Sequence, residues 1–495
     1  MSDSPPSAVL ETRATGVRYR VLFVLCTLAF LTYLDRFCIS RVQGDLARDL
    51  RFHELTAADE RALEEVGNAD DPQARREAGE ARSKARIDVV FAAFLVGYAI
   101  FEVPGGWLGD IWGPRAVIFR IVVWWSIFTA LTGSVAAIAG WLSPAPTVGL
   151  LFATLVLVRL LFGAGEAGAY PNISRALGRW FPFRERAGAQ GCIWMSARLG
   201  GALAPWIIGS LMALPGILGG WQGAFWMLGT VGIIWAVLFV LWFRDRPEDK
   251  PGVNAAEREL VRSGAPRFGS IYDDASGARV PWRTLCLGRN FLAIYGVAFC
   301  VSFSWYFAGT LFPRFLNEQF QKDFSQSEIE SGLPFLAGAV GCIAGGRLSD
   351  ALIRRTGNRR WGRSLPGIVG FVLAALCTVP IPFTSEPWQA VALLCFALGL
   401  QDLSVPCIWS VTADVGGRYA GTAGGFMNTI GAVGGALSPL IVGEVARESG
   451  WPAAYLILAA SYLVGSILWL RVDATETIFG MEPRADSGET GGPTP

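Results

Sequence analysis

Gly106-Trp107-Leu108-Gly109-Asp110-Ile111-Trp112-Gly113-Pro114-Arg115 decides the fold, because the chain writes it twice. Gly346-Arg347-Leu348-Ser349-Asp350-Ala351-Leu352, followed by Arg354, Arg355 and Gly357, repeats the pattern, and the two aspartates stand 240 residues apart. Each copy ends a long apolar stretch and is followed by another. A duplicated Gly-x-Leu-x-Asp element at half-chain spacing predicts two homologous helical halves, the organisation of secondary transporters.

The rest of the chain fits that expectation. Hydrophobic residues make up 52% of it and charged residues 17%, against about a quarter charged in a soluble domain, and mean hydropathy is +0.40. About 20 apolar residues cross a bilayer as helix. Such stretches lie near 19–42, 87–109, 116–140, 147–170, 187–213 and 221–243, and again near 290–316, 331–350, 364–384, 387–411, 419–445 and 452–471. The predicted fold is an all-α integral membrane protein of twelve transmembrane helices in two six-helix bundles. The predicted domains are an N-terminal bundle over 1–243, a linker over 244–289, a C-terminal bundle over 290–473 and a polar tail over 474–495.

Basic residues set the orientation. The loops carrying Arg115, Arg120, Arg175, Arg179, Arg184 and Arg186, the central linker and the segment from Arg354 to Arg363 are basic, while 141–147 and 214–220 carry no charge. This predicts a multi-pass protein of the cell (inner) membrane with both termini cytoplasmic. Residues 41–86 form a long external loop with a helical cap, rich in Ala, Glu and Arg between Ala57 and Ala85. No cleaved signal peptide is expected, since the first 16 residues lack an apolar core.

Composition also excludes. A net charge of +1 gives no electrostatic case for nucleic acid. The nine cysteines are scattered without a Cys-x-x-Cys pair and read as small packing residues. No metal motif and no nucleophile motif beside a base is present, so neither an enzyme, a cofactor nor a metal is expected. A sensor derived from a transporter would need an output domain, and the tail after Asp473 is short.

Several charges stand within predicted spans, where each costs about 2.5–3.5 kcal/mol on insertion scales. They are Asp35 and Arg36, Glu102, Arg159 and Glu166, Arg198 and Asp402. Arg159 and Glu166 are two helical turns apart and share a face. Such residues either line an aqueous cavity or form internal ion pairs that fix packing. The lone histidine, His53, lies in the 41–86 loop, so carboxylates must carry any coupled proton. Arg36, Arg159 and Arg198 suit an anion, because guanidinium groups bind carboxylate or phosphate in pairs of hydrogen bonds. Asn428 stands alone in the small-residue run from Gly421 to Pro439. It lines a cavity, or is satisfied by a backbone carbonyl in a packing seam. Tyr98, Trp305, Tyr306 and Trp409 suit a hydroxylated ligand or, equally, helix packing.

The duplicated signature resembles the loops between helices two and three, and eight and nine, of the major facilitator superfamily. Finer matches resemble its anion:cation symporter family, which includes galactonate, hexuronate, glucarate and phthalate permeases and sialin-like carriers. These are Tyr33-Leu34-Asp35-Arg36, Arg159-x-x-x-Gly163-x-x-Glu166-Ala167, Pro171, Trp180-Phe181-Pro182-x-Arg184-Glu185-Arg186-Ala187, Asp245-Arg246-Pro247 and Gly425-x-Met427-Asn428. The resemblance implies an alternating-access carrier, a monomer, moving a small anionic substrate with protons, or in some members sodium. It implies proton-linked roles for Asp35 and Glu166, a substrate or coupling role for Arg36, an Arg159–Glu166 pair, a substrate contact at Asn428, and gating loops at Asp110, Arg115 and Asp350. Arg198 departs from it, standing where sugar-acid members often carry glutamine. It would select a more highly charged substrate or pair with Glu102 or Asp402. The leading expectation is proton-coupled symport of a sugar acid such as a hexuronate, galactonate or glucarate. Sodium-coupled or exchange transport of another organic or inorganic anion is the alternative.

Overall fold

The computed structural model describes residues 13–66, 68, 70–263, 271, 279–321, 328–478 and 480–481. The expected polar N-terminus (up to residue 12), much of the linker (264–270, 272–278) and most of the tail (479, 482–495) lie outside the described residues.

The first half runs α1 (Val17–Asp49), α2 (Ala57–Glu65), α3 (Pro72–Trp112), α4 (Pro114–Gly133), α5 (Val135–Leu142), α6 (Val148–Glu166), α7 (Ala169–Trp180), α8 (Arg186–Met212) and α9 (Gly220–Trp242). After α10 (Ala255–Arg262) and α11 (Trp282–Leu287), the second half runs α12 (Arg289–Thr310), α13 (Phe312–Phe320), α14 (Glu328–Thr356), α15 (Arg359–Thr378), α16 (Pro387–Gln401), α17 (Val405–Gly416) and α18 (Ala420–Arg471). Gly450, with φ 80° and ψ 170°, breaks α18 into two crossings. Among the described residues nine segments are long and apolar enough to cross a membrane. One of them, Pro387–Arg471, holds three crossings, and α8 supplies the remaining one, giving the predicted twelve.

Helix faces are sorted as lipid requires. On α9, Gly232, Ala236 and Phe239 are buried, while Ile234, Leu238 and Leu241 are 55–66% exposed. Apolar side chains left exposed at helical spacing are stable only against hydrocarbon.

The breaks between helices are written in the backbone. Gly113, at φ 83°, ends α3, and Pro114 begins α4. Glycine reaches a positive φ without strain, and proline suits the first helical position. Gly168, at φ 85°, divides α6 from α7 immediately after Glu166. The stretch Asp402–Ser404 divides α16 from α17. Both interruptions carry a carboxylate, and each is followed within five residues by proline, Pro171 and Pro406.

Residues 41–86 differ from the expected loop. α1 runs on to Asp49, and α3 begins at Pro72, so the crossings project past the lipid as continuous helix and only 50–71 connects them. Thr56 and Asp59 form a reciprocal capping box at the start of α2. The Arg82 side chain donates to Asp59. Arg86 donates to the carbonyls of Phe52 and Glu54, at 2.7 and 3.0 Å. Ala57–Glu65 and the stretch from Pro72 to Ala85 are thus helical. The tail also differs: Glu476–Thr477 and Gly480–Met481 pair as a two-residue antiparallel ribbon, and the Ile478 amide donates to the Val415 carbonyl.

α10 docks on the start of α1. Glu257, fully buried, accepts from the amides of Val17 and Arg18, both at 3.1 Å, and from the Thr15 hydroxyl. A linker side chain therefore caps the first transmembrane helix.

Candidate functional site

The mid-membrane charges come together as two ion pairs. The first joins Arg36 of α1 to Glu166 of α6, Nη2 to Oε1 at 2.5 Å. This corrects the expected Arg159–Glu166 pair. Arg159 is 1% exposed, with its guanidinium 4.3 Å from the Phe162 ring centre and 5.3 Å from that of Phe94. Among the described residues its Nε and Nη1 have no hydrogen-bond partner. Helical periodicity put Arg159 and Glu166 on one face, but the helix ends at Glu166, and its carboxylate meets α1 instead.

Asp35, beside Arg36, is buried and accepts from the Thr129 hydroxyl of α4 at 2.6 Å. Among the described residues its Oδ1 has no hydrogen-bond partner, nor has Oε2 of Glu166. The Arg36 guanidinium lies 4.8 Å from the Tyr98 ring centre and 5.4 Å from that of Tyr33. Asn428 of α18 donates its amide to Tyr98 Oη and to Glu102 Oε1, both at 2.8 Å. Glu102 also accepts from the Gly168 amide at 2.8 Å. Asn428 is thus satisfied by side chains of the opposite half, not by a backbone carbonyl.

The second pair joins Arg198 of α8 to Asp402, Nε to Oδ2 at 2.9 Å and Nη2 to Oδ1 at 3.3 Å. Of the two partners left open for Arg198, Asp402 is the one it meets. The Trp305 ring centre lies 3.8 Å from the Arg198 guanidinium. Tyr306 packs on α18, where a side chain on Gly435 would meet its ring at 2.6 Å. Trp409 is 4% exposed, its ring tilted against those of Trp194, at 5.6 Å, and Tyr170, at 6.1 Å. Its surroundings are those of a packing residue.

Each signature aspartate holds the start of a helix in the opposite half. Asp110 accepts from the amides of Gly421 and Thr422, at 2.9 and 2.7 Å, and from the Thr422 hydroxyl at 2.6 Å. It therefore caps α18 from the opposite half. Arg175 donates to it at 2.8 Å and to the Arg418 carbonyl at 2.7 Å. Asp350 does the same for α8, accepting from the amides of Ala187 and Gly188, at 3.3 and 2.6 Å, and from Arg363 at 2.8 Å. Arg186 and Asp414 form a further bridge between halves. Backbones touch here: a side chain on Gly106 would lie 2.1 Å from the Gly421 carbonyl oxygen, and one on Gly346 2.3 Å from that of Ala187. Arg115 is not part of these contacts between the halves. Its amide donates to Asp245 and its side chain to the Val240 carbonyl, so it ties α4 to the end of α9. Arg175, Arg186 and Arg363 were invisible as contacts between the halves, because basic loop residues read as orientation signals.

The Major Facilitator Superfamily family model matches residues 25–439. The chain belongs to that superfamily. Curated relatives include the probable sulfoacetate transporter SauU of Cupriavidus necator, 32% identical over 471 residues, covering 94% of this chain and 96% of the relative. The probable galactarate/D-glucarate transporter GudP of Escherichia coli is 27% identical, covering 91% of this chain and 92% of the relative. Among solved structures, the human organic anion transporter MFSD10 superposes with a TM-score of 0.64 at 17% identity, covering 94% of this chain and 100% of that one. The Escherichia coli fucose:proton symporter FucP gives 0.60 at 13% identity, covering 92% and 99%. This major facilitator therefore has a multi-pass membrane transporter fold, and the superfamily's members are transporters, not enzymes.

Proposed function

We propose that the chain is a proton-coupled symporter of a small organic anion, a sugar acid or a similarly short acid, working by alternating access in the cell membrane with both termini cytoplasmic. The observation that carries this reading is the Arg36–Glu166 pair, set between an aspartate with a free oxygen and an arginine with free donors. An incoming carboxylate competes with Glu166 for the Arg36 fork. Glu166, deprived of its cation in a water-poor site, then holds a proton better than before. Asp35 and Arg159 stand close enough to sense that exchange. Asn428 and Tyr98, bonded across the halves, would meet the hydroxyls of a sugar acid. The names of the relatives, carriers of sulfoacetate and of galactarate and glucarate, support an anionic cargo. Asp110 and Asp350 would hold the cytoplasmic end shut, with Arg175 and Arg363 as their partners.

The test is proton movement in proteoliposomes on adding a panel of sugar acids, dicarboxylates and sulfonates. External alkalinisation with one of them is expected. Glu166→Gln should lose gradient-driven accumulation while still exchanging labelled for unlabelled substrate. Undiminished accumulation by that variant would remove Glu166 from the coupling path.

A further inference from the structure

The two halves mirror each other at their broken helices. Glu166 ends α6, and Asp402 follows α16, 236 residues later, close to the 240-residue offset of the signature aspartates. Each carboxylate therefore occupies the same place in its own half. Each also holds an arginine of another helix: Glu166 holds Arg36, and Asp402 holds Arg198. Interrupted membrane helices mark binding sites, because their backbone and side chains are released from the regular helix there.

We propose that Arg198 and Asp402 form a second anion subsite, so that the carrier takes short acyclic dianions with one acidic group on Arg36 and the other on Arg198. The inference rests on the reading of the chain as an anion carrier and adds the charge of its cargo.

Geometry favours this in three ways. Asp402 engages Arg198 side-on through Nε and Nη2, the arrangement an incoming carboxylate or sulfonate would adopt. Asp402 is thus an internal stand-in for a ligand anion. Tyr33 bridges the two subsites: its hydroxyl accepts from Arg198 Nη1 at 3.4 Å, and its ring centre is 5.4 Å from the Arg36 guanidinium. One tyrosine, with a contact at each end, separates the two cations, which suits a short chain carrying an acidic group at each end. Finally, Arg198 belongs to the first half and Asp402 to the second, so the pair bridges the parts that must move. Trp305 lies over the Arg198 guanidinium and covers the subsite.

Displacement of Asp402 would leave its carboxylate unpaired in a buried setting, which is costly. The groups facing it are Arg198 of α8, Cys342 of α14 with Sγ at 3.7 Å, and Gln401 with Nε2 at 3.3 Å, with Tyr462 of α18 within electrostatic reach. Arg198 is the only cation among them. Gly338 leaves room for the carboxylate, since a side chain there would approach Asp402 Oδ2 to 2.5 Å.

The experiment compares D-glucarate and sulfoacetate with the monoanion D-galactonate in proteoliposomes of the full chain. Wild type is expected to prefer a dianion in kcat/KM, and Arg198→Gln to lower the dianion-to-monoanion ratio by about tenfold or more. Arg198→Lys, which keeps the charge but not the fork, should fall between. Asp402→Asn, which weakens the internal stand-in anion, should change transport of the dianions more than that of galactonate. Wild type moving galactonate as well as any dianion would overturn this proposal and leave the anion carrier standing. So would equal losses for both cargo types in correctly folded Arg198→Gln and Asp402→Asn. Wild type that neither binds nor moves any anion of the panel would overturn both readings together.

Discussion

The latch and the mid-membrane site are built from the same residue types and finished to different degrees. At the latch, both oxygens of Asp110 and both of Asp350 are engaged, each by two amides and an arginine. At the site, Asp35 and Glu166 each keep one oxygen without a partner, and Arg159 keeps two nitrogens. A buried polar atom left unpaired costs about 1–3 kcal/mol. Asp110 and Asp350 avoid that cost, although Asp414 Oδ2 and two nitrogens of Arg175 beside them do not, and at the site the carboxylates themselves accept it. Complete pairing suits a contact that must hold until it is released as a unit. Incomplete pairing suits a place where water, a proton or a substrate supplies the missing partner.

The largest expected effect is therefore at the latch. Asp110→Ala removes four hydrogen bonds and strands Arg175 in a buried position, a loss of about 3–5 kcal/mol from the latched state. Transport should fall about a hundredfold or more, read as initial uptake rate, with labelling of cysteines placed beside the latch rising in parallel. Asp350→Ala should show the same sign and a smaller size, because it loses three bonds, and Asp414 stands 3.9 Å from Arg363 as a substitute. An equal or greater loss at Asp350 would break the ranking.

At the site, losses should appear in substrate terms rather than in folding. Asn428→Ala removes a donor shared by Tyr98 and Glu102, and KM should rise about tenfold while melting temperature stays near wild type. A large fall in melting temperature would recast Asn428 as a latch-like residue. The smallest effect belongs to the Asp59–Arg82 pair outside the membrane. The Arg82 guanidinium holds the Asp59 carboxyl well below the usual carboxylate range. A depressed folded value means the stabilisation is present above the ordinary aspartate pKa of about 4 and lost as pH falls below it. The pair is partly exposed, so Arg82→Gln should lower stability by about 0–1 kcal/mol at pH 7. The difference should shrink toward zero in strong acid, as followed by thermal melts across pH.

The sequence reveals one side of each contact better than the other. The repeat singles out Asp110 and Asp350, but Arg175 and Arg363 stand among many basic loop residues, and only the fold brings them onto the aspartates. Likewise the improbable charges mark Arg36, Arg159, Glu166, Arg198 and Asp402, whereas their partners follow from where helices break. The resemblance implies an Arg159–Glu166 pair and periodicity puts both on one face of α6, but Glu166 is the last residue of that helix and its carboxylate meets Arg36 of α1. For Trp409 both a ligand contact and helix packing stay open in the sequence, because an apolar segment says nothing about what covers an indole. Thr129 gave no signal at all, since a threonine in an apolar helix usually bonds its own backbone.

The cap on α1 bears on how the protein is made. Val17 and Arg18 leave the ribosome about 240 residues before Glu257, whose carboxylate accepts their amides. During synthesis the leading helix must enter the bilayer with its first turn open to water and headgroups. It acquires its cap only after α9 has emerged. The first helix is therefore secured last, and α10 closes the N-terminal half like a clasp added once the whole bundle is in place.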